Sequence, residues 1–201
     1  MAVTALVLYV GWFTIAFGVR SIMQRRRTGD TGFRGLSGRP GSAPWLAGVL
    51  FALAILTGLC APIAALLGLE PVPGLNAQWV QLTGLVVALA GMGATSASQV
   101  AMGASWRVGV DAAERTGLVT SGAFAWVRNP VFTAMILTAS GLALMASNAV
   151  GLVGVAALII AIQLQVRVVE EPYLSKVHGD AYSRYAAQVG RFVPAVGRIS
   201  N

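Results

Sequence analysis

The chain has one cysteine, one histidine and seven acidic residues in 201 positions, and each shortage removes a class of function. The single Cys60 lies inside an apolar run, which excludes an intramolecular disulfide and a thiolate metal cage. The single His178 sits in an amphipathic stretch. A serine–histidine–aspartate hydrolase would depend wholly on it, and nothing marks a nucleophile. There is no histidine pair at metal spacing, no Gly-x-Gly-x-x-Gly within a strand–helix unit and no P-loop, so neither a metal site nor a nucleotide fold of those kinds is expected.

What remains is apolar. Hydrophobic residues make up 56% of the chain, charged residues only 10%, and the mean hydropathy is +0.74, the composition of a membrane protein. Apolar runs cover Val3–Val19, Pro44–Leu67, Trp79–Ala101, Val131–Ala146 and Val150–Val166. Since ~20 residues cross a bilayer, the first three are long enough and the last two slightly short. The sequence therefore predicts an all-α integral membrane protein of five transmembrane helices. The opening MAVTALVLYVGWF lacks a basic flank and a small-residue cleavage site, so it is expected to stay as the first helix.

All fourteen basic residues fall on one side when these runs are threaded through a bilayer. Six follow the first run, from Arg20 to Arg39; Arg107, Arg115 and Arg128 follow the third; five more, Arg167 to Arg198, follow the fifth. The turns near Leu69–Gln78 and Ser147–Ala149 have none. The positive-inside rule makes the basic side cytoplasmic, with the N-terminus outside and the C-terminus in the cytoplasm of a multi-pass protein. The plasma membrane of a prokaryote is the expected location. The net charge of +7 is thus a matter of topology and anionic lipid, and no nucleic-acid partner is expected.

Composition divides the chain into residues 1–101, three helices with a basic loop at 20–43, and residues 102–201. The loop RSIMQRRRTGDTGFRGLSGRPGSA is rich in Gly, Arg and Ser without a helical period, and reads as a loop on the membrane surface. Pro62 should kink the second helix or close it early. In the third, Gly84, Gly91 and Gly93 allow close helix approach, while the amide of Gln99 must find a partner.

Chemistry is expected in the back half. Its two cytoplasmic segments hold five of the seven acidic residues and eight of the fourteen basic ones. A tight hairpin over 131–166, turning at Ser147-Asn148-Ala149, brings Arg128-Asn129-Pro130 beside Glu170-Glu171. Asn129 and Pro130 suit the N-cap and first position of a helix. The two carboxylates point about 100° apart, so they take different partners. For Glu171 the alternatives are Arg167, at i,i+4, and Arg128. Tyr182 and Tyr185, at i,i+3 in an amphipathic tail, suit an interfacial helix or a ligand wall. Trp106, Arg107 and Asp111 could shape a substrate mouth or anchor the interface.

The run GLVTSGAFAWVRNPVF (Gly117–Phe132), the hairpin, RVVEEPYLSKVHGDAYSRY (Arg167–Tyr185) and RFVP (Arg191–Pro194) resemble the isoprenylcysteine carboxyl methyltransferase family, related to membrane phospholipid methyltransferases. The resemblance covers roughly Gly103 to Pro194. It implies an S-adenosylmethionine-dependent integral membrane methyltransferase acting on a lipophilic small molecule, with the cofactor between the hairpin and the cytoplasmic tail. The implied cofactor contacts are Val119, Gly122, Arg128, Asn129, Pro130, Glu170, Glu171, Tyr182 and Tyr185. Asn129 stands where the family has histidine and Phe132 where it has tyrosine, changes that keep binding capacity and remove groups able to act as a base. For catalysis, Arg128 is the candidate to orient a carboxylate acceptor, and Glu171 the base for an amine or hydroxyl. Two other classes stay open: an NADPH-dependent enzyme like the sterol reductases, and a non-enzymatic membrane scaffold.

Overall fold

The computed structural model describes residues 1–33, 35, 38–108 and 117–199. Among these there is no β-strand, only three isolated bridges. The apolar runs are helices: α1 (Ala2–Thr28), α2 (Ala43–Leu66), α3 (Gln78–Met102), α4 (Pro130–Ala146) and α5 (Ala149–His178), followed by the short α6 (Asp180–Gln188). α1, α2, α3 and α5 are long and apolar enough to cross a membrane; α4 is a shorter apolar helix of 17 residues. At 1.5 Å per residue α4 reaches ~26 Å, a little under the ~30 Å hydrocarbon thickness. α2 closes at Leu66, one turn beyond Pro62.

The surface loop expected from Arg20 onward is corrected over its first nine residues. α1 continues through a π-turn at Thr14–Val19 and on to Thr28, where Gly29, at φ 80°, closes it. The helix persists because Arg20 has partners inside the bundle. Its Nη2 donates to the carbonyls of Gln99 (3.1 Å) and Gly103 (2.7 Å), the open end of α3, and its guanidinium lies 5.2 Å from the Trp106 ring. A helix C-terminus carries partial negative charge, which offsets the buried cation. Gln99 completes the clasp from the other side, its Nε2 donating to Ala16 O in the π-turn at 3.0 Å.

α3 and α4 meet along a seam of small residues. A Cβ built on Gly84 would lie 2.7 Å from Gly141 O, and one on Gly91 would lie 2.6 Å from Thr138 Oγ1. Backbone approach this close replaces side-chain interdigitation with dispersion contact along the whole seam. Gly93 is different, with nothing within 4 Å of an added Cβ. α2 lies along α5, with Ala54 and Ala61 buried and the Asn148 side chain bonded to Ala61 O at 2.8 Å. The α4–α5 turn is as tight as expected: Ser147 is left-handed at φ 56°, and Asn148 Oδ1 caps α5 by accepting from Gly151 N.

These pairings alternate front and back halves in one bundle. They bring the C-terminal ends of α1, α3 and α5 together with the starts of α2 and α4. Every described basic residue belongs to the segments at this end.

Candidate active site

A cavity of about 610 Å³ opens at the basic end of the bundle. One part is polar, lined by Asn129, Glu170, Glu171, Tyr182 and Tyr185; another is apolar, lined by Phe13, Phe17, Phe51, Ile55 and Leu56. α5 passes through its own π-turn, Gln165–Glu170, as it reaches the cavity. Such a turn carries one extra residue and re-aims the side chains after it, and Gln165, Glu170 and Glu171 all reach the cavity wall.

Glu171 chooses neither alternative alone. Its Oε1 accepts from Arg128 Nη2 at 2.8 Å and from Arg191 Nε at 2.7 Å, and its Oε2 accepts from Arg191 Nη2 at 3.0 Å. Arg167 instead donates to Gln163 Oε1 at 2.8 Å, so the i,i+4 pair is not formed. With three charge-assisted bonds on one carboxylate, Glu171 is held as an anion between two guanidiniums. A proton accepted by Glu171, the expected base, would have to displace one of these ion pairs.

Arg128 is only 6% exposed, and its terminal nitrogens are spent on the fold. Nη1 donates to Ala186 O (3.0 Å) and Val189 O (2.6 Å) at the end of α6, and Nη2 donates to Gly197 O (3.1 Å) besides Glu171. The planar fork expected to grip an acceptor fastens the C-terminal tail in this structure. Its Nε–H is buried beside the cavity without a partner.

Asn129 occupies the N-cap position of α4 but makes no capping bond. Its Nδ2 donates to Arg191 O at 3.0 Å, the same carbonyl that accepts from its backbone N–H at 3.1 Å. Pro130 begins α4 as expected and lines the cavity with Val119. Gly122 does not line it; at φ 61° it turns the chain into the 3-10 turn Gly122–Ala125. Asp111, Arg34 and Arg115 lie outside the described residues.

The tyrosines form a wall. Tyr182 is buried, its ring 6.4 Å from that of Tyr185 in an edge-on arrangement, and the Tyr185 hydroxyl donates to Phe124 O at 2.6 Å. Burial pushes the Tyr182 phenol up to about 12, reinforced by the charge on Glu171, and burial pushes Tyr185 up to about 12 as well. Both rings stay neutral throughout the physiological range. The hydrogen bond to Glu171 raises Arg191 above its ordinary value, keeping it charged.

Glu170 is the less engaged carboxylate. It lines the cavity, and its one hydrogen bond is a long 3.5 Å contact from Gln165 Nε2. Sequence reasoning assigned no role to Arg191, twenty residues from its partner Glu171, and no local spacing marks such a pair. It also missed Gln165, hidden as an ordinary amide at the end of an apolar run, and Phe13, Phe17 and Phe51, which nothing distinguishes within their apolar runs. Trp106 and Arg107 do line the cavity, with Arg107 5.1 Å from the Tyr173 ring. Among the described residues no three of His, Cys, Asp or Glu gather to hold a metal ion.

Residues 79–181, just over half of the chain, match the family model for phospholipid methyltransferase. The chain belongs to the phospholipid methyltransferase family. In fold, the bundle is similar to the solved eukaryotic intramembrane Ras methyltransferase isoprenylcysteine carboxyl methyltransferase, with a TM-score of 0.67 and 18% identity. The similarity covers 96% of this chain and 67% of that one. A search of the curated proteins finds no match. Family and helices together describe an integral membrane methyltransferase, in agreement with the resemblance carried by Gly117–Phe132 and Arg167–Tyr185.

Proposed function

We propose that this protein transfers the methyl group of S-adenosylmethionine to a lipophilic small molecule that reaches the site from the bilayer. The observation that carries the reading is the two-part cavity, polar at the tail and apolar between α1 and α2. Along α2 the lining residues run from Pro44 to Leu56, which at 1.5 Å per residue is ~18 Å of helix. Facing them are Phe13 and Phe17 of α1. Leu56 is 58% exposed and Phe13 40%, so this limb reaches the flank of the bundle that lipid would cover. A water-soluble acceptor has no use for such a limb; an alkyl or isoprenoid chain gains from burying every methylene there.

The polar part fits the cofactor by chemistry. The unpartnered Arg128 Nε–H and the free lone pairs of Asn129 suit an amino-acid carboxylate and the adenine amino group, Glu170 suits an ammonium or hydroxyl, and Tyr182 and Tyr185 offer aromatic faces. When bound, the sulfonium supplies an already activated methyl group. The protein's own task is to align donor and acceptor and to exclude water, and such alignment supplies up to ~7–11 kcal/mol. Arg128, Glu171 and Arg191 perform it indirectly, by holding the tail and its tyrosines against the hairpin. The matching topology is five spans, α4 included, with the N-terminus outside and the tail in the cytoplasm.

A lipid extract incubated with the purified protein and methyl-labelled S-adenosylmethionine tests this reading. A labelled lipophile is expected; label confined to water-soluble products would overturn it. A reporter fused after Asn201 should be active on the cytoplasmic side only.

A further inference from the structure

We propose that an anionic phospholipid binds lengthwise along the outer face of α1, its acyl chain on Ile15, Val19 and Ile22 and its phosphate on Arg26, with Arg25 and Arg27 beside it. Residues 15, 19, 22 and 26 stand four, three and four apart, so they line one face of the helix. Ile15 and Ile22 are each 57% exposed and Val19 43%, and Arg26 is exposed at the end of the row. An apolar stripe that ends on a guanidinium has the outline of a phospholipid, hydrocarbon along its length and phosphate at its foot. A soluble polyanion would match only the foot.

The depth agrees with that outline. The apolar run of α1 begins at Val3, and at 1.5 Å per residue Arg25 to Arg27 lie ~33–36 Å along the helix from it, just past the ~30 Å of hydrocarbon and within the headgroup layer. They reach that layer on a continuous helix, because α1 runs on through Arg20 to Thr28. The lipid therefore belongs to the leaflet at the basic end of the bundle.

Charge decides the kind of headgroup. Among the described residues the side chains of Arg25, Arg26 and Arg27 have no hydrogen bond or ion pair, and the nearest acid in sequence, Asp30, accepts at Oδ1 from Gly32 N–H at 2.8 Å. Arg20, buried on the inner face of the same turns, has only uncharged partners, two carbonyls and the Trp106 ring, and its Nε and Nη1 have none. Four cations thus share about two turns of helix without a carboxylate and repel one another. A zwitterionic headgroup brings its own cation beside the phosphate, whereas a headgroup of net negative charge offsets the cluster. Because Arg20 also holds the end of α3 and the cavity-lining Trp106, lipid bound outside α1 steadies the cavity wall inside it.

The full chain in nanodiscs of phosphatidylcholine, alone or mixed in equal parts with phosphatidylglycerol, tests this by two readouts: lipid adducts retained in native mass spectrometry, and melting temperature. The parent is expected to retain phosphatidylglycerol over phosphatidylcholine and to melt several degrees higher in the mixture. A guanidinium at a charged surface contributes about a fivefold preference, so Arg26→Gln should lower the preference roughly fivefold, and Arg25→Gln, Arg26→Gln and Arg27→Gln together roughly 100-fold, with the thermal gain lost. The single variant leaves Arg25 and Arg27 to direct insertion, so the test stands even where the triple variant fails to insert. As a control, Lys176→Gln, Arg184→Gln and Arg198→Gln together remove the same charge from exposed positions elsewhere at the basic end and should keep the preference. Inorganic phosphate added to phosphatidylcholine discs should give no thermal gain, since it has no chain to lay along the stripe. An unchanged preference in Arg26→Gln, an equal loss in the control, or a gain from inorganic phosphate as large as that from phosphatidylglycerol would each overturn the proposal. Neither readout needs turnover, so the outcome is independent of the methyltransferase reading.

Discussion

Arg191 grips Glu171 with two parallel N–H bonds, Nε to Oε1 at 2.7 Å and Nη2 to Oε2 at 3.0 Å. The contact joins the end of the tail to α5, and Arg128 adds a third bond to the same carboxylate. Removing Glu171 would leave two guanidiniums facing each other in a largely buried site. Glu171→Ala is expected to cost about 3 kcal/mol or more, since breaking a buried pair strands the remaining charge. Arg191→Lys should lose part of this because an ammonium cannot reproduce the fork. Unfolding in mixed micelles measures both, and the Arg128–Glu171 double-mutant cycle should show coupling above ~1 kcal/mol.

The clasp between α1 and α3 makes a separate prediction. Arg20 donates to Gln99 O while Gln99 Nε2 donates to Ala16 O, so either side chain is useful only while the other holds the helices in place. Arg20→Met and Gln99→Leu should each lower stability by about 1–3 kcal/mol. The double variant should be little worse than the poorer single one, and full additivity in a thermal-unfolding cycle would contradict the clasp.

Along the α3–α4 seam, the three glycines of α3 should respond differently. Gly84→Leu and Gly91→Leu place side chains into the backbone of α4 and are expected to destabilise by at least the ~1–3 kcal/mol of ordinary overpacking. Gly93→Ala meets open space and should be neutral or slightly stabilising, because alanine is the better helix former. Yield and melting temperature of the three variants, compared in one detergent, check the contrast.

Much of this was legible in the chain. Five helices follow from the apolar runs, the close approach at Gly84 and Gly91 from their size, and the meeting of Arg128 with Glu171 from the short turn at Ser147. The rest needed tertiary partners that local pattern does not show. Arg20 to Thr28 looks like a polar loop because a charged residue is ordinarily a surface residue, and only the open carbonyls of α3 explain why Arg20 is buried. Asn129 looks like a helix cap, but a carbonyl of the distant tail takes its amide. For Glu171 the sequence offers Arg167 at i,i+4 beside Arg128, whereas Arg191 arrives only through folding of the tail. Each miss is a polar side chain whose partner is far away in sequence.

The tyrosine wall predicts an alkaline limit. Tyr182 and Tyr185 are raised to about 12 in the fold against an ordinary value near 10. A group held protonated by the fold contributes its stability fully below the unfolded value and loses it as pH rises through the folded one. Melting temperature should therefore fall between about pH 10 and 12. In Tyr182→Phe the fall should be shallower, which parallel melts across that range would show.

The central claim is that the polar part of the cavity is built for S-adenosylmethionine. The most direct measurement is thermal unfolding of the purified protein in the presence of S-adenosylhomocysteine, with NADPH as the comparison. At 100 times its dissociation constant a ligand of the native state adds ~2.7 kcal/mol, enough to move the transition by several degrees. A saturable rise with S-adenosylhomocysteine, weakened in Tyr182→Ala and absent with NADPH, is the predicted result; a rise with NADPH alone, or with neither ligand, would contradict the account.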